Sequence, residues 1–212
     1  MQRTGEFRVS DNSGFFFEKM VTVKGIAYSS RDRHTDFSYM IRCNMYKDCL
    51  FLYNDNFEDR NRRHAGGGSA KIRPFAFDNP CRAIGISTGW SIQSGGFQIL
   101  DENVKQAIWC CFEHINLTLM LNPNIRQVFF SCDSNDSDKL GFNLFSPCLC
   151  VANYINRKIH EIPKRLLKNI AISKQAIVLC EDMILRKRQG KDKSGWNALE
   201  LQKVKRQKVR IQ

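Results

Sequence analysis

Leu50-Phe51-Leu52-Tyr53-Asn54-Asp55-Asn56 is an apolar run that turns abruptly polar, and ten residues further on stands Gly66-Gly67-Gly68-Ser69-Ala70. The aromatic and bulky apolar side chains of Leu50 to Tyr53 suit a strand. The run is continuous rather than alternating, so both of its faces are covered, which places helices on both sides of a sheet. A buried strand that empties into polar residues and glycines is where an α/β fold carries its ligand.

The same reading extends outward. Phe15-Phe16-Phe17, Met20-Val21-Thr22-Val23 and Tyr39-Met40-Ile41 upstream, and Ala83-Ile84-Gly85-Ile86 and Gln127-Val128-Phe129-Phe130 downstream, are predicted strands. Asp101 is a predicted N-cap, with Val104, Ile108, Cys111, Ile115 and Leu119 forming one apolar stripe until Asn122-Pro123 ends the helix. A second helix, roughly Leu149 to His160, carries Val151, Ile155 and Ile159 on one face and is expected to end before Pro163. A third, around Ser173 to Lys187, shows Ile177, Cys180 and Ile184. This order of elements is that of an α/β sandwich.

The chain of 212 residues has 42% hydrophobic and 25% charged residues, a globular composition with enough chain for a core. No apolar run approaches the length of a membrane span, and the N-terminus lacks the apolar stretch of a signal peptide. The chain is therefore read as intracellular, without membrane partners. Nine cysteines without a regular framework fit reduced thiols better than disulfides. The net charge of +12 is concentrated at one end: Arg186 to Arg210 holds ten basic and two acidic residues, which leaves 23 basic against 19 acidic in the remainder.

Two loops are candidates for chemistry. Gly66, Gly67 and Gly68 leave backbone N–H groups unshielded, as a phosphate-cradling nest requires, although a flexible surface loop has the same composition. After the strand at Ala83 comes a second loop, Ser87-Thr88-Gly89-Trp90, continuing to Gly95-Gly96-Phe97 just ahead of the long helix. Two glycine-rich loops that each follow a buried strand can converge on one ligand carrying two phosphates, with helix N-terminal amides near Asp101 assisting.

Asn54-Asp55-Asn56, Gly66-Gly67-Gly68-Ser69-Ala70 and Ile86-Ser87-Thr88-Gly89, followed by a long helix, together resemble the macrodomain family of ADP-ribose-binding modules. The likeness runs from Leu50 to about Ile159, about half the chain. It implies a three-layer α/β/α sandwich with a mixed central sheet over residues 15–165, preceded by a segment at 1–14 and followed by a C-terminal helix and basic tail over 166–212. By resemblance, Gly67, Gly68, Ser69 and Ala70 form one wall of a diphosphate site, and Ser87, Thr88, Gly89 and Trp90 the other. Asn56 and Asn54 would orient the distal ribose, and Asp133 would meet the adenosine end. The implied partners are ADP-ribose or a related nucleotide, or an ADP-ribosylated protein or nucleic acid, with no metal or redox cofactor.

The sequence departs from the family's hydrolytic branches. Where one branch places an acid after the glycines, Lys71 and Arg73 stand here, and the paired glutamates of the poly-ADP-ribose glycohydrolase branch are absent. Protonated basic residues can bind phosphate but cannot act as a general base. Asp55 is the remaining nearby acid, so catalysis, as an ADP-ribosyl hydrolase or ADP-ribose phosphate phosphatase, would rest on Asp55 with Asn56 orienting water or ribose.

Other classes stand beside this reading. Gly85-Ile86-Ser87-Thr88-Gly89 fits G-x-S-x-G, and Asp133 and His160 complete the order of a serine hydrolase triad. A nucleophile elbow turns directly into a helix, however, whereas Trp90 to Gly96 is a further loop. Cys110-Cys111 and Cys148-x-Cys150 lack the partner pair of a zinc site. The clusters Arg186-Lys187-Arg188-Gln189-Gly190-Lys191 and Lys203-Val204-Lys205-Arg206-Gln207-Lys208 could neutralise phosphates on nucleic acid or serve as a nuclear address, which makes tail-mediated nucleic-acid binding the competing function. A solvated, polar chain end reads the same way.

Overall fold

The computed structural model describes residues 21–142 and 146–188, with side chains through residue 172. The expected strand at Phe15 to Phe17, the segment 1–14, the end of the first basic cluster beyond Arg188 and the whole of the second lie outside the described residues. Strands β1 (Thr22–Ala27), β2 (Cys49–Asn56), β3 (Ala83–Gly89) and β4 (Gln127–Cys132) form one sheet in the order β1-β4-β2-β3. Every pairing is parallel. The expected mixed sheet is thus corrected to an all-parallel one. The physical reason is connectivity: each pair of successive strands is separated by more than twenty residues containing helical structure, far beyond a hairpin and long enough for a crossover.

Helix α1 (Phe37–Arg42) occupies the place expected of a strand at Tyr39 to Ile41. The Asp36 side chain accepts from the Ser38 N–H at 2.9 Å, which caps the turn. Phe37, Met40 and Ile41, spaced at three and four, are all buried. Local apolar content read as a strand, and the cap with its helical spacing decides otherwise. Helix α2 (Glu102–Leu121) begins as expected, with Asp101 Oδ1 accepting from the Val104 N–H at 2.8 Å. Its stripe of Val104, Ile108, Cys111, Ile115 and Leu119 is buried.

Helix α3 (Leu149–Arg188) replaces the two separate helices expected around Pro163, which lies inside it. An internal proline costs about 3 kcal/mol by removing a backbone bond and crowding the preceding turn. Ile159, Ile162 and Leu166, on either side of the proline, are all buried, and each such side chain contributes about 1.5–3 kcal/mol, which outweighs the cost. The chain divides into two units, Met1–Leu167 and Lys168–Gln212. In the second, the described part is the helical stretch through Arg188.

Sheet alternation sorts the core. Cys49, Phe51 and Tyr53 of β2 face one way, into a cluster with Phe37, Met40, Ile41, Ile72, Ala83 and Phe129. Phe51 packs its ring 5.2 Å from Phe37 and 5.5 Å from Phe129. Leu50 and Leu52 point to the opposite face and are fully buried. Strand β2 is therefore covered on both faces, as its unbroken apolar run requires. Among the described residues no helix is long and apolar enough to cross a membrane.

Candidate functional site

Strand β2 delivers Asn54, Asp55 and Asn56 to the carboxyl edge of the sheet, the edge at which parallel α/β folds bind ligands. The register against β3 slips there: Asp55 faces Ser87, and Asn56 faces Gly89. The skipped residue, Thr88, turns its hydroxyl back to donate to the Asp55 carbonyl oxygen at 3.2 Å. Such an irregularity re-aims the side chains that follow.

Beyond this edge lies a cleft of about 330 Å³. Its floor is Asn54, Asp55, Asn56, Asp59 and Arg73, and its wall is the loop His64 to Ala70, with Ile92 opposite. The loop is closed on itself, since the Gly66 N–H donates to the Ala70 carbonyl at 2.9 Å and the Ala70 N–H to the Gly67 carbonyl at 3.0 Å. A ten-residue 3-10 segment, Gly68–Phe77, follows. The N–H groups of Gly67, Gly68 and Ser69 have no partner among the described residues, as expected where a helical segment starts. Gly68 holds φ +54, the left-handed region glycine favours, and a Cβ added at Gly67 or Gly68 would meet nothing within 4 Å. This wall is bare backbone facing open space.

The floor is a closed polar network. Arg73 donates from Nε to Asp55 Oδ2 at 3.0 Å and from Nη2 to Asp55 Oδ1 at 2.5 Å. Its Nη1 reaches the His64 carbonyl at 3.2 Å, which ties the wall to the floor. Asp59 lies 3.8 Å from Arg73 Nη2 and is bracketed by Asn56, whose Nδ2 donates to Asp59 Oδ2 at 2.8 Å while Oδ1 accepts from the Asp59 N–H at 2.8 Å. Burial pushes the Asp55 carboxyl above its ordinary range, against the pull of the Arg73 hydrogen bonds and charge. Burial likewise opposes the Arg73 charge, yet bonding to Asp55 holds the guanidinium above its ordinary value. Asp59 is held below the usual carboxylate range, chiefly by the Asn56 amide and against a smaller effect of burial. The buried guanidinium is thus taken up by Asp55, while the nearer cation of Asp59 is the exposed Arg62 at 2.8 Å, and Arg73 has no charge to spare for a ligand. Neither carboxylate can act as a base without leaving its partner.

Asn54 differs from its neighbours. Its Nδ2 donates to the Gly141 carbonyl, while Oδ1 is buried without a hydrogen-bond partner. An oriented amide with an unused acceptor at the edge of a cleft suits a hydroxyl or amine donor.

The two loops are not equivalent. Gly66, Gly67, Gly68, Ser69 and Ala70 line the cleft, whereas of the second loop only Ile92 does. Ser87 and Thr88 are fully buried, and Ser87 pairs with Cys111 at 3.5 Å. Gly89 and Gly96 form an antiparallel bridge, and Cβ atoms there would stand 2.1 Å from the Gly95 carbonyl oxygen and 2.4 Å from the Ser146 carbonyl carbon. These glycines permit backbone contact. Gly95, at φ +68, supplies the turn between them. Trp90 is edge-on between Phe57 and Phe97, at 5.2 and 4.9 Å.

Asp133 lies apart from the cleft lining, where its carboxylate accepts from the Asn135 N–H at 2.8 Å. His160 bonds to the Asp138 carbonyl at 2.7 Å and stands edge-on to Phe130. Ser87, Asp133 and His160 are thus each engaged elsewhere, and no bond joins any two of them among the described residues. No group of three or more potential metal ligands occurs among the described residues.

Asp59 and Ile92 line the cleft without having been singled out from the sequence, and Arg73, read there as able to bind a phosphate, is paired with Asp55 instead. The spacing Asn56-x-x-Asp59 is the signal that was available, since an Asn side chain accepting from an N–H three residues on is a common local turn device. No family model matches the chain, and no curated protein or solved structure matches it.

Proposed function

We propose that the chain is a divergent macrodomain-like module, a three-layer α/β/α arrangement that binds ADP-ribose or a related nucleotide diphosphate at the carboxyl end of β2. The observation that carries this reading is that Gly67, Gly68 and Ser69 line the cleft together with Asn54 and have backbone N–H groups without a partner among the described residues, the two glycines bordering open space. Such a wall accepts an anionic oxygen without a side-chain cation. The unused Asn54 acceptor beside it suits a sugar hydroxyl. A cleft of about 330 Å³ is at the small end of ligand pockets, and it suits the ribose diphosphate part of such a ligand.

The closed Asp55–Arg73 and Asp59–Asn56 pairings favour binding over turnover, because hydrolysis would require one carboxylate to exchange its partner for water. The test is calorimetric titration of ADP-ribose into the full chain, with AMP and ATP as controls. Saturable binding selective for ADP-ribose supports the reading, and its absence in folded protein ends it.

A further inference from the structure

Cys148 and Cys150 flank the first residue of α3, and their sulfurs lie 2.7 Å apart, already inside ordinary non-bonded contact. Both belong to a backbone that is held in place. The Cys148 N–H donates to the Phe97 carbonyl at 2.7 Å, and its own carbonyl accepts from the Ala152 N–H at 3.0 Å, opening the helix. Cys150 is exposed and Cys148 half-buried, so solutes reach the pair. The contrast with other cysteines is chemical: Cys111 is buried against Ser87, Cys81 donates to the Ala83 carbonyl at 3.2 Å, and burial pushes the Cys49 thiol up to about 11.

We propose that Cys148 and Cys150 are a reversible dithiol–disulfide pair that exchanges with low-molecular-weight disulfides, a redox modification site at the start of α3. The roles of the two sulfurs differ. Burial works against a thiolate at Cys148, but the hydrogen bond from Cys150 and the amides of the first helical turn outweigh it and lower its pKa. The first turn of α3 carries no acidic residue to oppose that charge. The thiol of Cys150 is raised by its neighbour, as fits a resolving group that keeps its proton until the second step.

The exchange balances without a further reactant. The Cys148 thiolate attacks one sulfur of the small disulfide, forming a mixed disulfide and releasing one thiolate. Cys150 then loses its proton and attacks the Cys148 sulfur, and the second small thiolate leaves. The protein dithiol is oxidised by two electrons, and one small disulfide is reduced to two thiols.

The test equilibrates the full chain in mixtures of reduced and oxidised glutathione, alkylates the remaining thiols and cleaves after Lys and Arg. The peptide Leu140–Arg157 then carries Cys148 and Cys150 and no other cysteine. As the oxidised fraction rises, this peptide is expected to appear without either alkyl group and two hydrogens lighter than its dithiol, and to regain alkylation on reduction, while the other seven cysteines stay alkylated throughout. In Cys150→Ser the reaction should stop at a glutathione adduct on Cys148, and in Cys148→Ser neither product should form. A peptide doubly alkylated across the whole range, or a disulfide forming first at any other cysteine, would overturn the proposal. The wild-type titration alone decides the matter if either variant fails to fold.

Discussion

Arg73 grips Asp55 with two nitrogens, Nε at 3.0 Å and Nη2 at 2.5 Å, and both side chains are almost completely removed from water. The pair joins the end of β2 to the 3-10 segment eighteen residues later and sets the floor of the cleft. Removing one partner leaves an uncompensated buried carboxylate, the case in which an ion pair matters most. Arg73→Met is expected to cost about 3–5 kcal/mol in urea denaturation. Arg73→Lys should recover part of this, since an ammonium supplies the charge without the two-pronged geometry. A loss below about 1 kcal/mol for Arg73→Met would mean that the pair does not organise the floor.

Asp59 gives the floor a pH dependence of definite sign. Its folded-state pKa is depressed, chiefly by the Asn56 amide, so its ionised form stabilises the fold above the ordinary carboxylate pKa. That contribution is lost as pH falls through the depressed value. Asp59→Asn is therefore expected to be less stable than wild type at pH 7, by about 1–2 kcal/mol. The gap should narrow below about pH 4. Thermal unfolding of both proteins between pH 3 and pH 7 measures it, and a gap that stayed constant would remove the charge of Asp59 from the account.

The glycines of the two loops should respond oppositely to a methyl group. At Gly67 a Cβ meets nothing within 4 Å, so Gly67→Ala should leave the melting temperature nearly unchanged while narrowing the bare wall. At Gly89 a Cβ would stand 2.1 Å from the Gly95 carbonyl oxygen, so the loop must open. Gly89→Ala is expected to cost about 1–3 kcal/mol or more by overpacking. Comparing the two melting temperatures is the check. Weakened ADP-ribose binding in Gly67→Ala with unchanged stability would assign the effect to the cleft, whereas Gly89→Ala cannot separate binding from folding.

What was legible in the sequence follows from how local each signal is. The apolar run from Leu50 to Tyr53 and the stripe from Val104 to Leu119 state their burial in their own spacing, and both elements form where expected. Tyr39 to Ile41 misled because three apolar residues fit a strand as well as a helical turn, and the deciding group, Asp36, lies outside the run. Pro163 misled because its local cost is visible in the sequence while the burial of Ile162 and Leu166 is not. At the site, glycines announced a bare loop, and the first loop does line the cleft. They could not announce which loop lines the cleft and which packs on backbone, because Gly67 and Gly89 look alike until Gly95 is placed against one of them. The role of Arg73 was hidden for the same reason: a basic residue near glycines suggests phosphate, and only the fold supplies Asp55 as its partner.

Asn54 offers the sharpest test of how the cleft edge is oriented. Its Nδ2 donates to the Gly141 carbonyl and Oδ1 is left buried and unused. Asn54→Asp replaces that donor by an oxygen, so at neutral pH two acceptors face each other and the Gly141 carbonyl loses its partner. The cost is expected to be about 1–3 kcal/mol. Protonation lets the new carboxyl donate to the same carbonyl, so its folded-state pKa should be raised. A group with a raised folded pKa gains stability as pH falls through that value, and the variant should therefore approach wild type in acid. The gap closes in acid here as in the Asp59→Asn comparison, but because the variant gains stability on protonation, whereas there the wild type loses its advantage through its own carboxylate. Thermal unfolding of Asn54→Asp against wild type from pH 7 to pH 4 measures it. A variant as stable as wild type at pH 7 would mean that the amide does not anchor to Gly141.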